Sequence, residues 1–187
     1  IDQMLIWELT MNREYGDPRS VYMFMNDEGK LCGGPVWDFD RGTFQNQEKA
    51  TSLGNSTSYR VKPDDQWMYN RTQESDSYSY VWYRQLVKDP TFQQTVQERW
   101  AVIKPYLELV LGQIRYYGET QRVSFSYDSV MWPTNTGDVT KYKSDFKDWS
   151  GDEEISNWDE LINNFSTVYQ ERLSGMDALI TGGRFTK

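Results

Sequence analysis

Two carboxylates stand two residues apart in Gly33-Gly34-Pro35-Val36-Trp37-Asp38-Phe39-Asp40-Arg41-Gly42. After a run of strand-like residues, an extended backbone sends side chains i and i+2 to one side. Asp38 and Asp40 can then meet one object, while Trp37 and Phe39 turn the other way into a core. Two acids held together repel each other, and a divalent cation such as Mg²⁺, which takes oxygen ligands, relieves that repulsion. The plainer alternative is a strand end at which both aspartates accept backbone hydrogen bonds, as Asp does in turns. The chain has no histidine and a single cysteine, Cys32. A Ser-His-Asp triad, a Cys-His dyad, an internal disulfide, a Cys-based zinc site and any His-ligated metal are therefore excluded within these residues. Carboxylates, amides, hydroxyls and a hard cation remain.

At 187 residues the chain suits one domain, or one lobe of a larger one, and is long enough to bury a core. A net charge of −8 argues against a nucleic-acid partner, which needs clustered Lys and Arg to neutralise phosphate. Eight Trp and thirteen Tyr in so polar a chain suggest amphipathic helices. No apolar run approaches the roughly 20 residues that span a bilayer. The chain opens mid-pattern at Ile1-Asp2-Gln3, so it is expected to be an excised piece that carries no information on targeting.

The elements that must position the acids follow from periodicity. Residues 1–11 read as a helix end, with Met4, Leu5, Trp7 and Leu9 apolar, stopped by the polar loop Asn12 to Pro18. Ser20 to Met25 reads as a strand, Asn26 to Lys30 as a turn and Leu31 to Val36 as the return strand. Residues 45–77 form a long polar loop, unusual in a compact domain and often functional when ordered. Residues 78–187 are mainly helical. Val81, Trp82, Leu86 and Val87 share one face, and Asp89 or Thr91 caps a helix opened by Pro90. Phe92, Val96, Trp100, Ile103, Leu107 and Leu111 continue it, with a kink or break expected at Pro105. A further helix is expected over Val123 to Met131, and a last one from near Asn157 to Gly182-Gly183. The fold class is mainly α (α+β): one domain, with residues 1–44 carrying the acids, 45–77 the loop and 78–187 the helices.

Helix, polar loop, hairpin and then Asp-Phe before a glycine is the order found in the large lobe of protein kinases. More narrowly, the sequence resembles the spore coat protein H (CotH) kinase family of atypical, secreted or surface kinases. The resemblance rests on Glu8-Leu9-Thr10-Met11-Asn12, on Pro18-Arg19-Ser20-Val21-Tyr22-Met23, and on Asp27-Glu28-Gly29-Lys30-Leu31 running into Gly34-Pro35-Val36-Trp37-Asp38-Phe39-Asp40. Weaker similarity continues through Tyr80 to Leu86 and Phe92 to Trp100. It implies a kinase-like helical lobe with the hairpin between a catalytic loop and a metal-binding Asp motif. Asp38 takes the place of the metal-binding aspartate, and Asp40 that of an additional or outer ligand. Asn12 matches the Asn two residues before the catalytic-loop acid, a position held here by Glu14, with Asp17 a rival because the loop is one residue longer. Ser20 lies near the position of a metal-binding Asn on the nucleotide side.

The implied activity is phosphate transfer from ATP, with Mg²⁺ or Mn²⁺, to Ser or Thr of proteins outside the cell or on its surface. Such chemistry is mainly positioning and charge neutralisation. A kinase also needs a phosphate-covering loop and a strand lysine, which precede the catalytic loop in this fold. These 187 residues alone are therefore expected not to transfer phosphate. Two other functions fit the residues: a pseudokinase or scaffold, given Glu14 in place of aspartate, and a carbohydrate-associated surface module, given the tryptophans.

Overall fold

In the computed structural model the described residues are 1–12, 21–37, 39, 43–44, 67, 69, 81–131 and 158–186. They form helices α1 (Asp2–Thr10), α2 (Val81–Leu86), α3 (Pro90–Met131) and α4 (Trp158–Thr181), with strands β1 (Met23–Met25) and β2 (Leu31–Gly33). The strands pair antiparallel, Phe24 opposite Cys32, so the described chain is mostly helical with one small hairpin. Among the described residues no helix is long and apolar enough to cross a membrane.

Two compact units divide the chain. The first takes in Ile1–Phe44, Val61–Lys104 and Arg172–Lys187, and the second Gln45–Arg60 and Pro105–Glu171.

In the first unit Met4, Leu5, Trp7 and Leu9 of α1 are buried, as their spacing predicts, and so are Val96 and Trp100 of α3 and Leu173, Met176, Leu179 and Ile180 of α4. Asp89 is the cap of α3: its carboxylate accepts the Thr91 N–H at 2.7 Å, and Pro90 sits where its missing N–H costs nothing. α4 ends at the glycine pair in a Schellman motif. Gly183 adopts φ +63°, its N–H reaches the Ile180 carbonyl, and the Arg184 N–H reaches that of Leu179.

Asp177 of α4 accepts from the Trp100 indole at 2.9 Å and from the Lys104 ammonium at 2.8 Å. Burial works to raise its pKa, but the ammonium and the indole N–H outweigh it and hold the carboxyl below its ordinary value. A pKa lowered on folding stabilises the protein above the unfolded value, and that gain is lost as pH falls through the folded one. Asp177→Asn is therefore expected to lower the urea midpoint at pH 6 and to narrow its drop below about pH 4, as read in parallel denaturation series.

The second unit rests on α3 beyond Pro105 packing against the first half of α4. Gly118 makes the close approach possible, since a Cβ there would lie 2.7 Å from Ile162 Cγ2. The Trp158 indole donates to the Gly118 carbonyl at 2.7 Å, its ring stacks on Phe125 at 4.4 Å, and the Tyr169 hydroxyl donates to the Leu107 carbonyl at 2.7 Å. Arg122 grips Asp159 with two guanidinium nitrogens.

Several expectations are corrected. α3 does not break at Pro105, and Val123 to Met131 is its last stretch rather than a separate helix. One proline forfeits a single i→i−4 bond, and the helix continues on both sides of it. Trp82 and Leu86 are 59% and 44% exposed, whereas Val87 beside α2 is buried. A six-residue helix has too few turns to bury every apolar residue on it. Both strands are shorter than their apolar runs, β1 beginning at Met23 and β2 ending at Gly33.

Candidate functional site

The last turn of α1 is where the described part of the candidate site is built. α1 closes without a glycine: Met11 takes the left-handed conformation at φ +50°, its N–H bonds the Glu8 carbonyl, and the Asn12 N–H bonds that of Trp7. Methionine in that region is strained, and such strain persists only where surrounding contacts over-determine it. They do so here. Asn12 is fully buried, and its amide Nδ2 donates to the Thr43 hydroxyl at 2.8 Å. The Phe44 N–H donates to the Thr10 carbonyl at 3.0 Å, and Phe44 is itself left-handed at φ +49°. Phe39 lays its ring against Trp7 with centroids 4.6 Å apart. Residues 39, 43 and 44 are thus stitched to the end of α1 by a ring contact and two hydrogen bonds.

The hairpin between these segments is fixed by local chemistry. The Asn26 carboxamide accepts from the Glu28 and Lys30 N–H groups at 3.1 and 2.8 Å, and Gly29 supplies φ +72° for the turn. β2 lies so close to α1 that a Cβ on Gly33 would overlap the Gln3 carboxamide. The Gly34 N–H bonds the Tyr22 carbonyl at 3.0 Å, after which the chain leaves the ladder.

β2 ends at Gly33, and the strand alternation expected beyond it does not hold at Trp37. Trp37 does not enter a core. It is 49% exposed and pairs with Tyr22 at 5.8 Å, while Phe39 is half-buried on Trp7. Of the residues assigned to the site, Asn12 is brought against Thr43. Glu14, Asp17, Ser20, Asp38 and Asp40 lie outside the described residues.

No family model, curated protein or solved structure matches the chain.

Behind Asn12 stands a feature the sequence reading passed over. Glu8, in the same turn of α1, is fully buried together with Arg172 of α4. Arg172 Nη2 donates to Glu8 Oε2 at 3.0 Å and Nε to the Glu8 backbone carbonyl at 2.9 Å, while the Tyr69 N–H donates to Glu8 Oε1 at 3.1 Å. Tyr69 and Trp67, which fall in the stretch read as a polar loop, are buried. They stack at 5.0 Å, with Trp67 also 5.6 Å from Phe185, and donate to the Phe185 and Arg184 carbonyls at 2.9 and 2.7 Å. Burial, with the Glu8 carboxylate adding to it, pushes the Tyr69 hydroxyl well above its ordinary pKa, so it remains a neutral donor. Arg84 Nε donates to the Tyr69 carbonyl from α2.

A signal for this cluster existed. Glu8 is the one acid on an apolar stretch of α1, and Arg172 falls four residues from both Val168 and Met176 on the buried stripe of α4. Thr43, by contrast, carried none.

The Asn12–Thr43 bond carries a direct expectation. Thr43→Val removes one hydrogen-bond partner and is expected to cost about 1 kcal/mol, whereas Asn12→Ala, which vacates a fully buried amide, costs about 1–3 kcal/mol. Urea unfolding of both variants and the double variant reads the coupling between them. Additive losses would show that the bond contributes nothing.

Proposed function

We propose that the chain is the large lobe of a CotH-like atypical protein kinase, which in the full-length protein transfers phosphate from ATP to Ser or Thr of extracellular or cell-surface proteins. One observation carries this reading: the 2.8 Å bond from Asn12 to Thr43. It ties the first residue of the loop holding Glu14 and Asp17 to the residue that follows the Asp38–Gly42 segment. Phe39, between the two aspartates in sequence, is tied to the same helix through Trp7. The chain leaves the end of α1 at Asn12 and is tied back to it at Thr43, which supports a kinase-like order of loop, hairpin and acidic segment.

Carboxylates with amide and hydroxyl oxygens are hard donors and fit Mg²⁺ or Mn²⁺. In this reading Asp38 holds the cation, Asp40 supports it, and Ser20 lies on the nucleotide side. The bound cation neutralises charge on the phosphates. Glu14, or Asp17 in its stead, orients the acceptor hydroxyl and takes its proton. Neutral substitutions of the two acids decide between them. Glu14→Gln is expected to abolish phosphorylation of Ser or Thr by the full-length protein, measured by mass spectrometry, with Asp17→Asn largely active. The reverse pattern would move the role to Asp17. Full-length protein that never transfers phosphate, but retains its Mn²⁺ and nucleotide, would be a pseudokinase or scaffold.

A carbohydrate-associated surface module is the second reading. What favours it is the exposed Trp37, paired with a half-exposed Tyr22 as a stacking surface for a sugar ring. Retention on a polysaccharide column that Trp37→Ala abolishes would support it. Unretarded elution would remove it.

A further inference from the structure

Along α3, beyond Pro105, one face carries large exposed residues. Tyr106, Leu109, Tyr116, Val123 and Tyr127 are 63–70% exposed. With the exposed Gln113 and Thr120 they recur at steps of three and four residues, strictly alternating, from 106 to 127. That is a heptad seam three repeats long. A 3.6-residue helix packed on a globular core drifts away from such a repeat, and a strict 3.5 repeat is what a second helix wound around the first selects. The opposite face is already used: Leu107, Gly118, Arg122 and Phe125 meet α4.

We infer that this seam is the interface of a two-fold symmetric dimer, in which α3 of one chain pairs with α3 of a second copy.

Three observations favour a second copy over another partner. The first is charge. In a chain where 26% of residues are charged, the seam has none, and at the flanking positions Val110, Tyr117, Ser124, Met131, Pro105, Gly112, Glu119 and Ser126 only Glu119 is charged. Glu119 lies 3.6 Å from Arg122 of its own helix, so like-charge repulsion does not oppose self-pairing at a net charge of −8 per chain. The second is polarity: the Thr120 hydroxyl already donates to the Tyr116 carbonyl at 3.0 Å, so burying it strands no donor. Gln113 is then the single polar layer, of the kind that fixes register in paired helices. The third is area. Three tyrosines about two-thirds exposed, of a residue type that buries about 150–250 Å² each, offer roughly 300–500 Å² per chain. Leu109, Val123, Tyr117 and Met131 bring the face near the roughly 800 Å² that one partner contributes to a stable interface.

Sedimentation equilibrium of the full chain at micromolar concentration tests the pairing. Twice the chain mass is expected, falling to the chain mass in Leu109→Glu/Tyr116→Glu with the helical circular-dichroism signal unchanged. The substituted residues are exposed, so the variant keeps its fold; Val123→Glu/Tyr127→Glu provides a second variant. Wild-type protein at the chain mass, whether the face is bare or covered by its own chain, would overturn the proposal. So would mass that grows without limit, or a dimer untouched by both variants.

Discussion

Arg172→Met is expected to destabilise the first unit by about 3–5 kcal/mol, the largest stability effect of any single substitution among the described residues. The argument is one of desolvation. Both Arg172 and Glu8 are fully buried, so removing the guanidinium takes the cation away from a carboxylate left in the core, where the Tyr69 N–H still donates to it. The same change strips the Nε bond from the Glu8 carbonyl in the last turn of α1, where Met11 already holds a strained conformation. A protein stable by about 5–15 kcal/mol in total has little margin for that. Glu8→Met is expected to cost a similar amount, because it takes the carboxylate away from a fully buried guanidinium. The double variant Glu8→Met/Arg172→Met is expected to lose less than either single change, because two apolar side chains pack where neither charge is then stranded. Urea unfolding followed by circular dichroism reads all three. Single losses below about 1 kcal/mol would mean that water or another group already compensates each charge.

Asp38→Ala is expected to have the largest functional effect. In the proposed reading its carboxylate is the direct cation ligand, and the negative charge of the phosphates is neutralised through that cation. Removing one group aimed at developing charge costs about 10²–10³-fold in turnover in comparable sites. Asp40→Ala, an outer support, is expected to cost about 10–100-fold. Phosphate transferred per minute by the full-length protein and by each variant, at saturating Mn²⁺ and ATP, gives the ordering. Equal losses would make the two aspartates joint ligands. No loss from Asp38→Ala would remove it from the site.

How far the sequence could be read depends on which residues declare themselves by period. α1, α4 and the capped start of α3 were legible because Met4, Leu5, Trp7 and Leu9, or Val168, Leu173 and Leu179, repeat at helical spacing, with Asp89-Pro90 and Gly182-Gly183 marking ends. The continuity of α3 through Pro105 was not, since a proline's local cost says nothing of the turns around it. Trp37 was misplaced because strand alternation was extended past Gly34, where the ladder stops. The buried role of Trp67 and Tyr69 was hidden by the Ser, Thr, Asn and Asp around them: two aromatics make no period, and their partners lie more than a hundred residues away at Arg184 and Phe185. Glu8–Arg172 and Asn12–Thr43 are likewise long-range pairs, and no window along the chain contains both members of either. The hairpin was readable, and the bond from Asn12 to Thr43 was not.

Binding of Mn²⁺ to the full-length protein in the presence of ATP, followed by electron paramagnetic resonance of the free ion, tests the central claim most directly. Wild-type protein is expected to withdraw Mn²⁺ from solution at a fixed stoichiometry, and Asp38→Ala to lose this while unfolding at the wild-type urea concentration. A free-ion signal unaltered by wild-type protein, or withdrawn equally by Asp38→Ala, would contradict it.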